Sequence, residues 1–239
     1  MIPKIIHHTA PEDKSKWSPI WNECRESWIR NFPGFNFMFW NDEDLDNLVK
    51  ESYSQYYEMY SNFPDKIIKI DFARLCILHK YGGIYSDMDF YCYKNFYDFL
   101  DGDLYAVESW EDWEEKVQNS LMVSVKGHEF WTLCMKEIYD FYSSNLHIMS
   151  LEIYKKLDKD SRNELILRLA GPKLFNRSMN NYDGIGNILP KELFNPKIDL
   201  QFNWVATGAN KYKEVYDYYK DLNSKENKVF TRHYLTGMW

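Results

Sequence analysis

Residues 65–89 constrain the fold more than any other stretch. Asp65 opens a run in which Ile67, Ile68, Phe72, Leu75 and Leu78 form one broad apolar face at helical spacing. Tyr81-Gly82-Gly83 follows, and a glycine just past a helix tolerates the positive φ that stops it. Ile84-Tyr85-Ser86 then reads as a short strand with Asp87-Met88-Asp89 at its C-terminal end. A helix over about 65–80 running straight into a strand is the signature of an α/β sheet. Ligands of such sheets bind at the carboxyl ends of strands, and that is where the two carboxylates fall.

The same alternation fills the rest of the first half. Segment 4–8 reads as a buried strand between Pro3 and Thr9-Ala10-Pro11. Ser18-Pro19 reads as an N-cap with Pro at the first helical position, followed by Trp21, Cys24 and Trp28 and stopped at Pro33-Gly34. Residues 35–40 predict a second strand, and Asn41-Asp42-Glu43-Asp44 caps a helix that reaches about Tyr53. The tyrosine-rich region 53–63 reads as helical or irregular. Strands are expected at 104–108, 120–125 and 185–189, and helices at 129–143, 151–158, 161–169, 172–180 and 210–222. Without repeats or a linker, the 239 residues are expected to form one domain, 1–239, with added helices in the C-terminal half.

Charge narrows the function classes. A formal net charge of −7 is the wrong sign for a general nucleic-acid binder. No run approaches the ~20 apolar residues of a membrane span, although peripheral membrane contact stays open. The N-terminus is too short and polar for a signal peptide. Cys24, Cys76, Cys92 and Cys134 lie far apart among apolar residues, which predicts buried free thiols and a reducing, cytoplasmic compartment. Aromatic content is 18%, which suits sugar or base stacking and a large core equally well.

Two carboxylates at i and i+2 point to one side of an extended chain. Each raises the other's proton affinity unless a cation lies between them. Mg²⁺ and Mn²⁺ are often held by one or two carboxylates together with substrate phosphates, so Asp87 and Asp89 suit a metal–diphosphate. The other D-x-D strings, at 42–44, 44–46, 101–103 and 158–160, read as turns or helix caps. Asp71 and Arg74 stand three apart on the helix and share a face, half-buried beside the apolar one. They read equally as an intrahelical ion pair or as a hydroxyl acceptor and anion donor facing a ligand.

The string Ile70-Asp71-Phe72-Ala73-Arg74-Leu75, then Leu78, then Tyr81 through Asp89, resembles the core of family 32 glycosyltransferases. That group includes capsular-polysaccharide transferases and yeast-type initiating mannosyltransferases, and the glucosylating domains of large clostridial toxins carry a similar stretch. Ile2 through His7, Asn119-Ser120, Lys126 through Phe130, Ala170-Gly171-Pro172 and His233 through Trp239 resemble further segments of the family. Met238 departs from it, standing where the closing motif usually has Ser. A thioether is a poor ligand for a hard ion.

The resemblance implies a GT-A fold, a Rossmann-like mixed sheet flanked by helices. It implies transfer of a hexose with retention of configuration, from a nucleoside-diphosphate sugar to an oligosaccharide, glycolipid or protein acceptor, with Mn²⁺ or Mg²⁺. A UDP-sugar is the favoured donor, with GDP-mannose as the alternative. By position, Asp89 would ligate the metal, and Asp87 would contact the ribose or the metal shell. His233 would be a further metal or phosphate contact. Asp71 and Arg74 would bind donor hydroxyls, with Arg74 also near the diphosphate. Tyr85 would lie near the nucleoside, the backbone at His7-His8 would line the base pocket, and Trp239 would cover the diphosphate. Asn119 reads either as a donor-sugar contact or as a turn residue, and His128 as a helix cap or packing residue rather than an acceptor contact. Trp110 through Glu115 reads as a solvated loop, with an acceptor platform as the alternative. A bacterial or viral source building a surface glycan is expected.

Two rivals compete with this reading. A haloacid-dehalogenase-type phosphatase needs Thr or Val two residues after the second Asp, where this chain has Tyr91. A non-catalytic carbohydrate-binding protein would explain the aromatics but not the acidic constellation.

Overall fold

The computed structural model of the protein describes residues 1–110, 114–184, 186–196 and 229–235. The expected helix at 210–222 and Trp239 lie outside them. In chain order the elements are β1 (Ile5–Thr9), α1 (Trp21–Asn31), β2 (Asn36–Trp40), α2 (Asp42–Ser52), α3 (Ser54–Ser61) and α4 (Lys66–Tyr81). Next come β3 (Gly83–Ser86), β4 (Phe90–Cys92), β5 (Leu104–Glu108), β6 (Val117–Ser124), α5 (Glu129–Ser144), α6 (Leu146–Met149) and α7 (Leu151–Lys156). The series closes with α8 (Lys159–Leu169), α9 (Pro172–Asn181), β7 (Asn187–Leu189), α10 (Lys191–Phe194) and β8 (Thr231–His233).

Six strands form a mixed sheet in the order β2-β1-β3-β6-β5-β7. β1 is parallel to β2 and β3, β6 is antiparallel to β3 and β5, and β5 is parallel to β7. β3 and β5 therefore point the same way and end on the same edge. Helices cover the sheet, as expected for this fold class. β4 and β8 form a separate antiparallel pair in which Phe90 stands opposite His233.

Helix α4 is the spine of the larger core. Asp65 caps it, its carboxylate accepting from the Ile67 amide at 3.1 Å. The sequence suggested one apolar face, yet Ile70 through Leu78 are all buried, Asp71 and Arg74 included. Residues of α2, α3, α5, α8 and α9 pack in one cluster with α4, β5 and β6. The middle of the helix so surrounded has no solvent face, so the two charged residues there, Asp71 and Arg74, must find partners inside, whereas Lys66, Lys69 and Lys80 keep contact with water.

The double glycine after α4 is required by space as well as by φ. Gly82 and Gly83 have φ of 64° and 97°. A Cβ at Gly83 would stand 2.5 Å from the Ile5 carbonyl oxygen, and one at Gly82 would stand 2.5 Å from the Lys126 amide nitrogen. The glycines let the chain leave α4 and enter the sheet centre against β1.

Ser18 is not the cap of α1. Trp21 begins that helix, and Ile20 precedes it without a side-chain cap. Trp17, Ile20 and Trp21 are buried with Ala10, Met88 and Tyr234, so packing rather than capping preference sets the helix entry. Elsewhere the caps follow the sequence: Asn41 and Asp44 form a reciprocal capping box, Asp158 caps α8, and His128 caps α5. The four cysteines are free and buried. Trp21, Trp28 and Trp131 are among the largest fully buried side chains, so much of the aromatic surplus is core.

Candidate active site at the carboxyl edge of β3

Four elements converge beyond Ser86. Strand β3 delivers Asp87 and Asp89, α4 delivers Asp71 and Arg74, β6 delivers Asn119, and β8 delivers His233. Arg74 holds the group together. Its Nη2 lies 3.1 Å from Asp71 Oδ1 and 3.4 Å from Asp87 Oδ1, and its Nη1 donates to the Asn119 carbonyl oxygen at 2.8 Å. The guanidinium also sits over the Tyr85 ring, 4.9 Å from its centroid. Asp71 and Arg74 are 5% and 3% exposed, deeper than the half-burial expected from the helix pattern. They are an intrahelical ion pair, but Arg74 also reaches Asp87 and Asn119, well beyond its own helix.

A bulge in β6 makes the Asn119 contact. Ala106 of β5 pairs with Met122, yet the next residue, Val107, pairs with Gln118. Residues 119–121 are thus passed over in the β5 register, and Asn119 turns toward α4. Its Nδ2 donates to Asp71 Oδ1 at 3.1 Å. The Ser120 carbonyl accepts from the Asp87 amide at 2.9 Å, fixing the turn after β3.

Tyr85 is fully buried, and its hydroxyl donates to Asp87 Oδ1 at 2.8 Å. Thr9 Oγ1 lies 2.9 Å from that hydroxyl and completes a short relay from β1 to Asp87. Thr9 was invisible in the sequence, because a lone Thr at a strand end carries no signal.

The charge and the donor atoms of the site suit a cation. Asp87, Asp89 and His233 each offer one ligand atom, all within 4.8 Å of one another. His233 Nε2 lies 3.1 Å from Asp89 Oδ1, and its ring stacks on Phe90 with centroids 4.3 Å apart. Three carboxylates here face one guanidinium, leaving excess negative charge in a mostly buried site. Burial pushes the Asp71 carboxyl up to about 6, with Arg74 opposing and Asp87 adding to the rise. Asp87 is likewise raised by burial, against Arg74, and Asp89 raises it further. A divalent cation would balance that charge, and two carboxylates with one imidazole suit Mn²⁺ while leaving positions for phosphate oxygens.

His7 and His8 spend their side chains on the sheet. Trp40 Nε1 donates to His7 Nδ1 at 3.2 Å, so His7 Nε2 carries the proton and donates to the Gly82 carbonyl at 2.9 Å. His8 Nδ1 donates to the Ser86 carbonyl at 2.9 Å. Burial lowers both pKa values from 6.5 to about 4, with the carbonyl acceptors partly offsetting it. Between pH 6.5 and 4 the unfolded chain therefore takes up protons that the folded chain refuses. Stability should fall through that window by up to about 1.4 kcal/mol per pH unit for each histidine. A thermal-melt series from pH 7 to pH 4.5 tests this. A His7→Gln variant should show a flatter slope, and an unchanged slope would refute the assignment.

Comparison with known proteins agrees with this geometry. A family model described as "Glycosyltransferase sugar-binding region containing DXD motif" matches residues 18–112, from the entry to α1 through β5. The chain carries that DXD sugar-binding region. Within it, Asp87-Met88-Asp89 directly follows the carboxyl end of β3. The region is shared with inositol phosphoceramide mannosyltransferase 1 of Schizosaccharomyces pombe, 36% identical over 98 residues, which are 39% of this chain and 30% of that one. Inositol phosphoceramide mannosyltransferase 3 of the same yeast is 29% identical over 154 residues, 64% of this chain and 41% of that one. An uncharacterized glycosyltransferase, L373, of Acanthamoeba polyphaga mimivirus is 36% identical over 101 residues, 42% of this chain and 40% of its own. The chain spans less than half the length of these relatives.

Two solved structures share the fold. The PaToxG glycosyltransferase superposes with a TM-score of 0.51 at 15% identity, covering 75% of this chain and 69% of that one. The apo form of the glycosyltransferase GlyE of Streptococcus pneumoniae TIGR4 also gives 0.51, at 13% identity, covering 98% and 55%. The fold around the DXD region is thus GT-A, as the resemblance implied.

Proposed function

We propose that the protein is a metal-dependent glycosyltransferase that moves a hexose from a nucleoside-diphosphate sugar to a hydroxyl of a glycan or glycolipid. The observation that carries this is the Asp87-Asp89-His233 triad beside the Arg74 hub, at the carboxyl edge of β3. Mn²⁺ or Mg²⁺ bound to Asp87, Asp89 and His233 would act as a Lewis acid toward the departing diphosphate. Arg74, desolvated and held on two carboxylates, adds fixed positive charge near the leaving group. Asp71 and Asn119, already bonded to each other, offer oxygen and nitrogen atoms to donor hydroxyls. Retention follows the family resemblance, and of its two routes same-face attack is favoured, because no sequence motif marks a carboxylate as the nucleophile of a double displacement. Four buried thiols support a reducing, cytoplasmic compartment. Among the described residues no helix is long and apolar enough to cross a membrane.

The donor base is open to direct assay. The favoured expectation is a UDP-hexose, whereas the names of the yeast relatives favour a mannosyl donor such as GDP-mannose. Incubation with UDP- and GDP-sugars and Mn²⁺ should release nucleoside diphosphate from one of them, slowly even to water. A non-catalytic sugar-binding protein releases none, and that result across the whole panel would overturn the proposal.

A further inference from the structure

The two carboxylates of the candidate metal site stand on a tight turn rather than on an extended strand. The Phe90 amide donates to the Asp87 carbonyl at 3.2 Å, closing a four-residue turn over Asp87-Met88-Asp89. The side chains of a turn point where its backbone dihedrals send them. Whatever fixes the residues on either side of this turn therefore fixes the gap between the carboxylates.

Two buried side chains outside the acidic group hold both ends. His8 Nδ1 donates to the Ser86 carbonyl at 2.9 Å, and Trp28 Nε1 donates to the Phe90 carbonyl at 2.8 Å. The two rings meet edge to face with centroids 6.1 Å apart, and both are buried. They form one block that grips the carbonyl before Asp87 and the carbonyl after Asp89. Nε1 is the only polar atom of an indole, and His8 Nε2 has no hydrogen-bond partner among the described residues. The side-chain hydrogen bonding of this block is therefore directed at the turn.

Helix α1 extends the grip along β4. Asp89 and Tyr93 bond to the β8 side, through the Tyr234 amide at 2.9 Å and the Phe230 carbonyl at 2.8 Å. Alternate residues of a strand turn their peptide groups to the opposite edge, and there α1 stands in for a neighbouring strand. The Cys92 amide donates to Ser27 Oγ at 2.8 Å, and Asn31 Nδ2 donates to the Cys92 carbonyl at 3.0 Å. Met88, inside the turn, belongs to the same buried cluster as Trp21 and Cys24 of α1. The turn is thus mounted on β1 and α1, which contribute no ligand atom to the acidic site. We propose that Trp28 and His8 are positioning residues for the acidic pair, setting the spacing at which Asp87 and Asp89 meet a divalent cation. This rests on the metal reading of the site and adds to it the residues that tune the metal. Supports of this kind typically change metal affinity by about 10–100-fold.

Titration of the full chain with Mn²⁺, followed by the electron paramagnetic resonance signal of the free ion, tests this without turnover. Trp28→Phe and His8→Leu should each weaken Mn²⁺ binding about tenfold. His8→Asn should recover most of the loss, because its amide N–H₂ can take the place of Nδ1–H. Trp131→Phe is the control for damage to the core. Trp131 is equally buried, and its Nε1 donates at 2.8 Å to Ser124 Oγ, away from the turn. That variant should lower Tm as Trp28→Phe does and leave Mn²⁺ affinity unchanged. Wild-type affinity in both Trp28→Phe and His8→Leu overturns the proposal, as does an equal loss in Trp131→Phe. If the wild type binds no Mn²⁺, the metal reading fails, and amide hydrogen exchange at residues 87–90 decides the tether by itself. Faster exchange there in Trp28→Phe but not in Trp131→Phe upholds it, and equal exchange in the two removes it.

Discussion

An Asp89→Ala protein should lose at least about a thousandfold in sugar transfer while its far-UV circular dichroism and Tm stay near wild type. Both expectations follow from the charge balance at the site. Asp89 stands beside Asp87 and against His233, in a place where negative charge exceeds positive. Removing one carboxylate relieves repulsion on Asp87, so the fold loses little. The same change removes the ligand that the metal reading needs most. Asp89→Asn should be nearly as inactive, because it keeps the shape and loses the charge. Chelation should silence the wild type, and Mn²⁺ should restore it. Full transfer after exhaustive chelation would remove the metal from the mechanism altogether.

Arg74→Ala should have the largest effect on stability. Deleting the guanidinium strands Asp71 and Asp87 and leaves the Asn119 carbonyl without its donor. Breaking a buried pair from one side typically costs about 3–5 kcal/mol. At about 2–4 °C per kcal/mol for a chain of this size, Tm should fall by roughly 10 °C. Arg74→Lys should recover only a fraction, since an ammonium lacks the planar fork that bonds three groups at once. Adding Asp71→Asn to the Ala variant should restore part of the loss, because one stranded charge is gone. A fall in Tm below about 2 °C for Arg74→Ala would show that the hub is not the tie described here.

Local signals in the sequence were reliable where local physics governs. The Asn41 capping box, the Asp158 and His128 caps, the stop at Gly82 and the end of β3 at Asp87 all depend on residues within a few positions of one another. Where a distant segment competes, local preference yielded. Ser18 does not cap α1, which begins two residues past Pro19 at Trp21, where Trp17, Ile20 and Trp21 pack with Met88 and Tyr234. The pair β4–β8 was missed because three-residue strands carry no readable period, and their partners lie about 140 residues apart. The bulge at 119–121 was missed because it is defined against β5 and β3 rather than by its own residues.

Residues 65–89 determine by themselves a helix, a glycine stop, a strand and two carboxylates at the strand's end, since each step is a preference between neighbours. They also place Asp71 and Arg74 on one helix face, which helical geometry guarantees. What that face meets was decided only by tertiary packing. Enclosing residues 70–78 of α4 denied Asp71 and Arg74 any water, so Arg74 had to reach Asp87 and Asn119. Pairing β8 with β4 then set His233 against Asp89, a meeting that no spacing along the chain encodes.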